Sequence, residues 1–399
     1  MNISHKRKSK REFLKIIHFL ASHPDKTVCQ VLPSLDSGGV ERGTLEIARF
    51  LTAQGQQNMV ISSGGRLEAD LKALGVEHIC LPVHSKNPFV MIKTAYRLHK
   101  LFVEKNVCVV HVRSRAPAWT VKMALWGLKI PMLTTFHGTY GLKPAPFKRW
   151  YNQVMVSGAL VIAVSEHIAR HILENYKVNP DKIRLIPRGA DAKTFDARQL
   201  DKKKVEALKK DWGVEKGKVV LMLPGRRTKI KGHLLVMEAL KKMKHKDVQC
   251  FFVGSDQGRT DYTNLLKEKI KELGLQKQVK LIDHCADMLT AYGASDVVIS
   301  ATTKPEAFGR TIPEAQLVKC LVIAANHGGA AETIQHGRTG FHFKPNDSDD
   351  LARQLDALLD LPENRKDFMR NVAQKEVLKR YTVETMCKKT WAVYKELMK

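Results

Sequence analysis

The sequence has no long apolar run and few acidic residues. No stretch of about 18 consecutive apolar residues occurs, so the sequence predicts no membrane-spanning helix. The 399 residues include 67 Lys and Arg but only 40 Asp and Glu, which gives a formal net charge of +27. This surplus predicts attraction to an anionic partner, such as nucleic acid, an acidic membrane or a phosphorylated small molecule.

Cysteine and aromatic residues are also few. The seven cysteines are odd in number and none has the CxxC spacing of a metal site, so we expect core residues in a reducing compartment. Aromatic residues make up 7%, without zinc-finger spacing or an aromatic RNA-binding motif. A basic nucleic-acid-binding protein remains an alternative that the +27 charge keeps open, although we predict no nucleic-acid partner.

Two common nucleotide-binding signatures are missing. Neither GxGxxG nor GxxxxGK[ST] occurs, which argues against a nicotinamide dehydrogenase and a P-loop NTPase. The 44% of hydrophobic residues is ordinary for a globular protein, and the length predicts two domains.

The N-terminus resembles a signal peptide only superficially. Five basic residues between Lys6 and Arg11 precede an apolar stretch, but Lys15 and His18 interrupt that stretch and no small-residue cleavage site follows. We interpret residues 1–26 as a basic arm, which is either a solvated tail or an electrostatic membrane contact.

Short apolar runs alternate with amphipathic segments along the chain, which predicts parallel strands joined by helices. The predicted strands are Val28–Leu32, Asn58–Ser62, His78–Leu81, Val107–His111, Met132–Phe136, Leu160–Val164, Ile183–Ile186, Val219–Leu223, Cys250–Val253, Val279–Ile282, Val297–Ser300, Leu321–Ala324 and Gly340–Phe343. The predicted helices are Val40–Thr52, Phe89–Val103, Leu234–Lys242, Tyr262–Leu273, Leu351–Leu358 and a last segment from about Arg365 to Leu397 with a break near Tyr381.

The alternation lapses over the charged segment Asp196–Lys218, where we place the domain boundary. The predicted organisation is an arm (1–26), a first Rossmann-like α/β domain (27–200), a second one (201–380) and a C-terminal helix that crosses back (381–399). Such sheets bind ligands beyond the carboxyl ends of their strands, and two of them facing each other would form a cleft.

In the first half, polar and glycine residues follow three predicted strands. Gly38 and Gly39 precede a helix, where free N–H groups suit a phosphate, although a plain turn explains them equally well. His137 follows the strand that ends at Phe136 and is either a ligand contact or a structural histidine. Arg113 and Arg115 would suit an anionic or polyhydroxylated acceptor, or serve only solubility.

In the second half, a glycine-flanked loop follows the strand Val219–Leu223. Arg226 and Lys231 on this loop can clamp a diphosphate and stabilise negative charge on a leaving group. For the neighbouring Arg227 and Lys229, simple solvation of the side chain is the alternative to a role in the clamp.

The segment from Pro305 to Glu314 carries the most information. Thr311 and Glu314 form a capping-box pattern, which predicts a helix start that aims the backbone N–H groups of Phe308–Thr311 at the ligand edge. Glu306 and Glu314 can each accept two hydroxyl groups, as a sugar ligand requires. A purely structural capping role for Glu314 is the alternative.

In these motifs, from about Val28 to the C-terminal helix, the sequence resembles the retaining GT-B glycosyltransferases of the family 4 type. Glu306 and Glu314 match the two glutamates that this family separates by seven residues. The other matching pieces are Gly38-Gly39, His137-Gly138, Ser165, Arg188-Gly189, Gly225-Arg226, Lys231-Gly232, Asp287, Ala294-Ser295-Asp296, Gly328-Gly329 and Glu332.

The resemblance implies a nucleotide-sugar donor, UDP- or GDP-linked, held mainly by the C-terminal domain. The implied catalytic residues are His137, Arg226, Lys231 and Glu306. The implied donor-binding residues are Gly38, Gly39, Gly225, Phe308, Gly309, Arg310, Thr311 and Glu314. The implied acceptor-binding residues are Arg113, Arg115 and Arg188. Such enzymes usually need no metal and no cofactor beyond the donor. The chain departs from many relatives at Arg310–Pro313, where they have aliphatic residues, which leaves the donor's identity open.

Two local runs resemble bacterial envelope-polysaccharide and lipopolysaccharide-core enzymes, namely Glu41–Thr44 and Arg113–Pro117. This likeness implies a phosphorylated glycolipid or lipopolysaccharide-core acceptor, with mannosyl transfer as one hypothesis. It also implies a cytoplasmic enzyme bound peripherally to the anionic inner face of the cytoplasmic membrane. A nucleotide-sugar isomerase or a phosphorylase of the same fold remains an alternative.

Overall fold

The structure is a computed structural model that describes residues 26–36, 38–141 and 145–399. Apart from Lys26, the predicted basic arm lies outside the described residues. The strands are β1 (Thr27–Val31), β2 (Asn58–Ser62), β3 (Glu77–Cys80), β4 (Val107–Val112), β5 (Met132–Phe136), β6 (Leu160–Ala163), β7 (Ile183–Leu185), β8 (Val219–Pro224), β9 (Val248–Val253), β10 (Val279–Ile282), β11 (Val297–Ser300), β12 (Leu321–Ala325) and β13 (Phe341–Phe343).

The helices lie between these strands and after the last of them. They are α1 (Gly39–Ala53), α2 (Glu68–Ala73), α3 (Pro88–Glu104), α4 (Arg115–Ala124), α5 (Ala145–Asn152), α6 (Glu166–Asn175), α7 (Lys202–Asp211), α8 (His233–Lys242), α9 (Thr260–Glu272), α10 (Met288–Gly293), α11 (Thr311–Leu317), α12 (Gly328–Ala331), α13 (Ser348–Leu359), α14 (Glu363–Arg380) and α15 (Val383–Leu397). Short 3-10 turns cover Gln153–Val156, Pro180–Lys182, Ala197–Gln199 and Lys229–Lys231.

Every predicted strand is confirmed, with end points that differ by at most two residues. The strand pattern in the sequence is clear because most strands are buried on both faces and are therefore unbroken apolar runs. In β8, for example, Leu221 and Leu223 pack into one core cluster, whereas Val220 and Met222 pack into another.

The chain divides into two compact units. Of the described residues, unit 1 comprises those up to Ala163 together with Ala169–Ile186 and Cys387–Lys399, and unit 2 comprises Val164–Ile168 and Pro187–Met386. Unit 1 contains a seven-stranded sheet in the order β3-β2-β1-β4-β5-β6-β7, and unit 2 a six-stranded sheet in the order β10-β9-β8-β11-β12-β13. All neighbouring strands in both sheets are parallel, so the predicted pair of Rossmann-like sheets is confirmed.

The division between the units falls earlier than the predicted boundary of 200/201. It lies between Ile186 and Pro187, because the following segment packs within unit 2. The Ala190 N–H donates to the Tyr381 carbonyl over 2.8 Å, and the ring of Phe195 lies edge-on to Tyr292. The charged stretch Asp196–Lys218, in which the boundary is predicted, contains α7, whose Leu208 packs against the unit 2 core.

The C-terminal helix belongs mostly to unit 1, since the residues from Cys387 onward group with that unit. The Tyr394 hydroxyl lies 2.6 Å from His111 Nδ1, and both side chains are fully buried. The predicted break between the last two helices is confirmed at Tyr381–Thr382.

Among the described residues, no helix combines the length and apolar character that crossing a membrane requires.

Candidate functional site

Unit 2 brings the strongest site candidates together at one point of its sheet. Strands β8 and β11 are neighbours there, while the connections that follow them run to opposite sides, to β9 and to β12. Ligands of open parallel sheets bind outside the carboxyl ends of the strands at such a switch point. Arg226 and Lys231 follow β8, and Glu306 follows β11. The unit 2 candidates therefore lie at the edge where ligand binding is expected.

Two glycines allow these loops to approach each other closely. Gly225 has φ +138°, and a Cβ atom there would lie 3.1 Å from Cε of Lys231. Gly232 has φ +76°, and a Cβ atom there would overlap the carbonyl oxygen of Ala301, just beyond β11. Larger residues would strain the backbone and separate the loops, so these positions suit glycine.

Lys231 and Glu306 form the central charge pair of the site. Lys231 Nζ donates to Glu306 Oε1, and the two side chains are 25% and 20% exposed. The backbone of Glu306 is held independently, because its carbonyl accepts the Gly329 N–H over 2.8 Å. Half-buried opposite charges on anchored loops can be reached by a ligand and exchanged for ligand contacts.

The two neighbouring arginines have different surroundings. Arg226 is exposed and its Nη1 donates to Gln257 Oε1 over 3.1 Å. Arg227 is only 3% exposed and donates to Asp283 and, over 3.1 Å, to Thr263, so the interpretation of Arg227 as a solvated side chain is wrong. The hydrogen bond from Thr263 lowers the pKa of the nearby Asp256, and Arg227 adds to the effect. Arg226 is thus the arginine of this loop that a ligand can reach.

Glu314 lies within the first turn of α11 but does not cap it. The helix begins at Thr311 and no side chain accepts its terminal N–H groups, so the predicted capping box is wrong. Glu314 Oε2 instead accepts the Tyr292 hydroxyl over 3.0 Å, and its Oε1 lies 3.4 Å from Arg310 Nε. Burial, with the Glu314 charge as the next cause, raises the pKa of Tyr292, which stays protonated as a donor.

The backbone before α11 packs tightly on α12. Phe308 is buried and its ring lies 6.0 Å from that of Tyr381, while Gly309 has φ +78° and faces Ala330. The Phe308 side chain is therefore a core residue, and only the backbone of Phe308 could contact a ligand. The predicted donor contacts of Phe308–Thr311 remain a prediction.

In unit 1, the predicted donor contacts lie at the carboxyl ends of β1 and β5. Gly38 precedes α1, which begins at Gly39, and the Gly38 carbonyl accepts the Arg42 N–H over 3.1 Å. His137 follows β5 directly and is half-buried. The contacts of these residues with a donor, and the predicted cleft, stay predictions.

The three predicted acceptor arginines do not form one cluster within either unit. Arg113 is 5% exposed and donates to the buried Gln30 Oε1 over 2.7 Å. Arg115 donates to Asn152 over 2.9 Å and lies 4.3 Å from the ring centroid of Tyr140. Arg188 is buried in unit 2. Burial lowers the pKa of Arg113, in keeping with a core position.

Two further groups of unit 2 were not predicted from the sequence. Tyr292 orients Glu314, and Gln257, with φ +54°, holds Arg226. Tyr292 lies in a short apolar helix and is indistinguishable there from a core residue. Among the residues that the structure describes, no three His, Cys, Asp or Glu side chains are placed to hold a metal ion.

Two family models match the chain, one on each half. The model described as Glycosyltransferase Family 4 matches residues 37–194, and the model described as Glycosyl transferases group 1 matches residues 204–375.

Known proteins resemble the chain over most of its length. A crystal structure of a glycosyltransferase from Rickettsia africae is 40% identical, covers 94% of this chain and 100% of its own, and superposes with a TM-score of 0.88. The D-inositol 3-phosphate glycosyltransferase of Pseudarthrobacter chlorophenolicus is 27% identical over 62% of this chain, and the match spans 61% of that enzyme. Anabaena HepE, solved with UDP and glucose, shares the fold at 22% identity, with a TM-score of 0.78 over 93% of this chain and 99% of HepE.

Proposed function

The chain belongs to the group 1, family 4-like glycosyltransferases with the GT-B fold, and on that premise we propose that it transfers a sugar from a nucleotide-sugar donor with retention of configuration. The donor would bind at the carboxyl ends of β8 and β11. One observation carries the proposal: Lys231 and Glu306, half-buried and directly paired, lie together at the switch point of the unit 2 sheet.

The charges at this point suit a nucleoside diphosphate and a sugar. Arg226 and Lys231 would contact the diphosphate, and binding would draw Lys231 from Glu306 to the more highly charged phosphates. The freed Glu306 carboxylate would accept hydroxyl groups of the sugar. Glu314, oriented by Tyr292, would accept the ribose hydroxyls.

The transfer step needs charge stabilisation at the leaving group. The bond between the anomeric carbon and the phosphate oxygen breaks, and its electron pair stays on the diphosphate. The acceptor oxygen bonds to the same face of the anomeric carbon, and its proton passes to the departing phosphate oxygen. Arg226 and Lys231 would stabilise the growing negative charge, which is the role that a bound metal performs in other sites. We therefore propose that the reaction is metal-independent.

We propose a lipid-linked glycan as the acceptor, of the kind used in envelope polysaccharide or lipopolysaccharide-core synthesis, with the enzyme peripheral on the inner face of the cytoplasmic membrane. The basic surplus of the chain supports an acceptor that lies on an anionic surface. A phosphorylated polyol is the competing acceptor, because the relative from Pseudarthrobacter carries inositol phosphate in its name.

An assay of purified protein with labelled UDP- and GDP-sugars tests the proposal. We expect release of nucleoside diphosphate and a labelled product that keeps the donor's anomeric configuration when lipid extract is supplied. Transfer to inositol phosphate instead would move the acceptor to the competing class. A product formed from the donor alone indicates an isomerase, and a requirement for inorganic phosphate indicates a phosphorylase. Inertness towards every nucleotide sugar would contradict the proposal.

A further inference from the structure

The segment between residues 88 and 152 is almost free of acidic side chains. It contains eleven Lys and Arg residues and a single acidic residue, Glu104. It also contains seven of the twelve large apolar side chains that are strongly exposed in the described part of the chain. Positive charge and exposed apolar side chains are thus concentrated in one segment of unit 1. This segment contains none of the donor-site residues predicted in unit 2.

The first part of this surface is a second apolar stripe on α3. Phe89, Ile92, Tyr96 and Val103 are spaced by three, four and seven residues and are 83%, 61%, 61% and 61% exposed. Residues at these spacings share one side of a helix. The core side of α3 is made of other residues, such as the fully buried Leu98. Packing within unit 1 therefore leaves this stripe unexplained.

The neighbouring helices continue the surface. His99 Nδ1 of α3 lies 2.9 Å from the carbonyl oxygen of Ala124, which places the end of α4 and the 87% exposed Trp126 next to α3. On α4, the ring of Trp119 lies 4.9 Å from that of Trp150 on α5, and its Nε1 donates to the Tyr151 carbonyl. We call the exposed sides of these three helices the α3–α5 face.

Basic side chains are interleaved with the apolar ones. Lys93 and Lys100 are exposed on α3 beside the stripe, and Lys100 Nζ lies 4.7 Å from the ring centroid of Tyr96. Lys122 lies 5.9 Å from the ring centroid of Trp119 on α4. Helices with aromatic and aliphatic side chains between lysines bind at the boundary of headgroups and acyl chains, where each group meets a suitable partner.

We propose that the α3–α5 face docks on an anionic lipid bilayer. Charge complementarity selects this partner, because ten net positive charges between residues 88 and 152 favour an anionic surface and repel a second copy of the same face. A nucleic acid would use the aromatic rings and the lysines but would gain nothing from Ile92 and Val103, which have no π-face for a base. An anionic bilayer can interact with all of them, with the lysines at its headgroups and the apolar side chains at its acyl chains.

This inference does not rest on the donor site. All its residues belong to unit 1, and its readout is lipid binding without any sugar. Failure of sugar transfer with intact lipid binding, or the reverse, would therefore separate the two proposals.

Vesicle co-sedimentation of the full chain tests the face. We expect binding to phosphatidylcholine vesicles that contain phosphatidylglycerol, and little binding to phosphatidylcholine alone. Replacing Lys93, Lys100 and Lys122 together with Gln should weaken binding to the anionic vesicles on the order of 100-fold, since each basic group near the surface contributes about a factor of five.

A matched control separates the face from total charge. Lys202, Lys203 and Lys210 are exposed on α7 of unit 2, and their joint replacement with Gln removes the same charge. We expect this variant to bind vesicles nearly as the unchanged protein does. Every protein in the comparison keeps residues 1–25, so the basic arm contributes equally to all of them.

The apolar side chains are tested in the same way. Ile92→Ser, Tyr96→Ser and Trp126→Ser together should lower partitioning at least about tenfold, because apolar area no longer leaves water on docking. The control replaces exposed apolar residues elsewhere, with Leu173→Ser and Phe368→Ser, and should bind normally. Circular dichroism checks that each variant is folded.

Results of three kinds would overturn the proposal. One is equal binding of the unchanged protein to neutral and anionic vesicles, or equal loss in the face variants and their controls. A second is a dimer in sedimentation velocity that the Ser variant converts to a monomer, which would assign the face to self-association. The third is oligonucleotide binding that the face variants lose while vesicle binding is unchanged, which would assign the face to nucleic acid.

Discussion

Two arginines lie at the carboxyl ends of central strands, one in each unit, and their surroundings differ. Arg113 follows β4 in unit 1, is 5% exposed, and bonds to Gln30 within a buried network that includes His111 and Tyr394. Arg226 follows β8 in unit 2, is exposed, and donates a hydrogen bond to the exposed Gln257. Position at the ligand edge of a sheet therefore does not distinguish an arginine that a ligand can reach from one that is buried in the core.

The difference lies in what the neighbouring elements supply. In unit 1, the C-terminal helix brings Tyr394 onto β4, where its hydroxyl and that of Thr135 lie within hydrogen-bonding distance of the two ring nitrogens of the buried His111. In unit 2, Lys231 and Glu306 satisfy each other but remain reachable. The first arrangement stabilises the fold, and the second can exchange its pairing for a ligand.

The largest expected effect is on turnover at the unit 2 site. Lys231→Ala and Glu306→Gln should each lower kcat/KM on the order of 10²–10³-fold, because the first removes charge stabilisation at the leaving group and the second removes a carboxylate that accepts sugar hydroxyl groups. The control is Lys229→Ala, an exposed lysine of the same 3-10 turn, which should keep normal kinetics. Melting temperatures measured alongside should change by only a few degrees. Normal transfer by both site variants would refute the site assignment.

The corresponding change in unit 1 should act on stability. Arg113→Leu should cost about 2–4 kcal/mol of unfolding free energy, because it leaves the buried Gln30 oxygen without its donor. Urea unfolding followed by tryptophan fluorescence measures this, since four of the five tryptophans belong to unit 1. Arg365→Leu, at an exposed position of α14, should change stability by about 0.5 kcal/mol or less. A stable Arg113 variant that has lost acceptor binding would show that Arg113 is a site residue after all.

The buried network of unit 1 should also make stability depend on pH. Burial lowers the pKa of His111 well below 6.5, so the folded state keeps this ring neutral. The stabilisation that neutral His111 gives the folded state is complete above about pH 6.5. Below that pH the free energy of unfolding falls by about 1.4 kcal/mol per pH unit, because only the unfolded chain binds the proton.

Comparing unfolding at pH 7.5 and at pH 5.5 in His111→Gln tests this dependence. The loss of stability between the two values should be smaller by about 1 kcal/mol in the variant than in the unchanged protein. His84→Gln, at an exposed position, should behave as the unchanged protein does. An identical pH response in all three would mean that His111 binds its proton equally well in the folded and unfolded states, which would contradict the lowered pKa.

The smallest effect concerns the orientation of Glu314. Tyr292→Phe removes a hydroxyl that donates to this carboxylate over 3.0 Å, and should raise the donor KM about fivefold with little change in kcat. Tyr262→Phe, a buried tyrosine of α9, is the matched control and should leave KM unchanged. An unchanged KM in the Tyr292 variant would assign the contact to the core alone.

Most of the fold could be predicted, because the two-sided burial of the strands leaves an unambiguous pattern in the sequence. Strand ends also located the candidate site, since Lys231 and Glu306 follow strands that prove to be neighbours. The sequence could not distinguish Arg113 from Arg226, because the partner that buries Arg113 comes from a helix almost 300 residues away, as the separation of 283 between His111 and Tyr394 illustrates.

Local patterns were misleading where tertiary partners compete for a side chain. Thr311 and Glu314 have the spacing of a capping box, but Glu314 turns instead to Tyr292 and Arg310. Arg227 looks solvated in the sequence, yet Asp283 and Thr263 come from later strands and helices to bury it. Such long-range pairs leave no periodic signal in the sequence.

Thermal denaturation with UDP, GDP and ADP tests the central claim, that the β8–β11 edge of unit 2 binds a nucleoside diphosphate, most directly. A ligand that binds only the folded state at about 100 times its Kd adds about 2.7 kcal/mol of stability. We predict that one of the three raises the melting temperature of the unchanged protein and of Lys229→Ala, and raises that of Lys231→Ala much less. Stabilisation by none of the three, or equal stabilisation of all three proteins, would contradict the account.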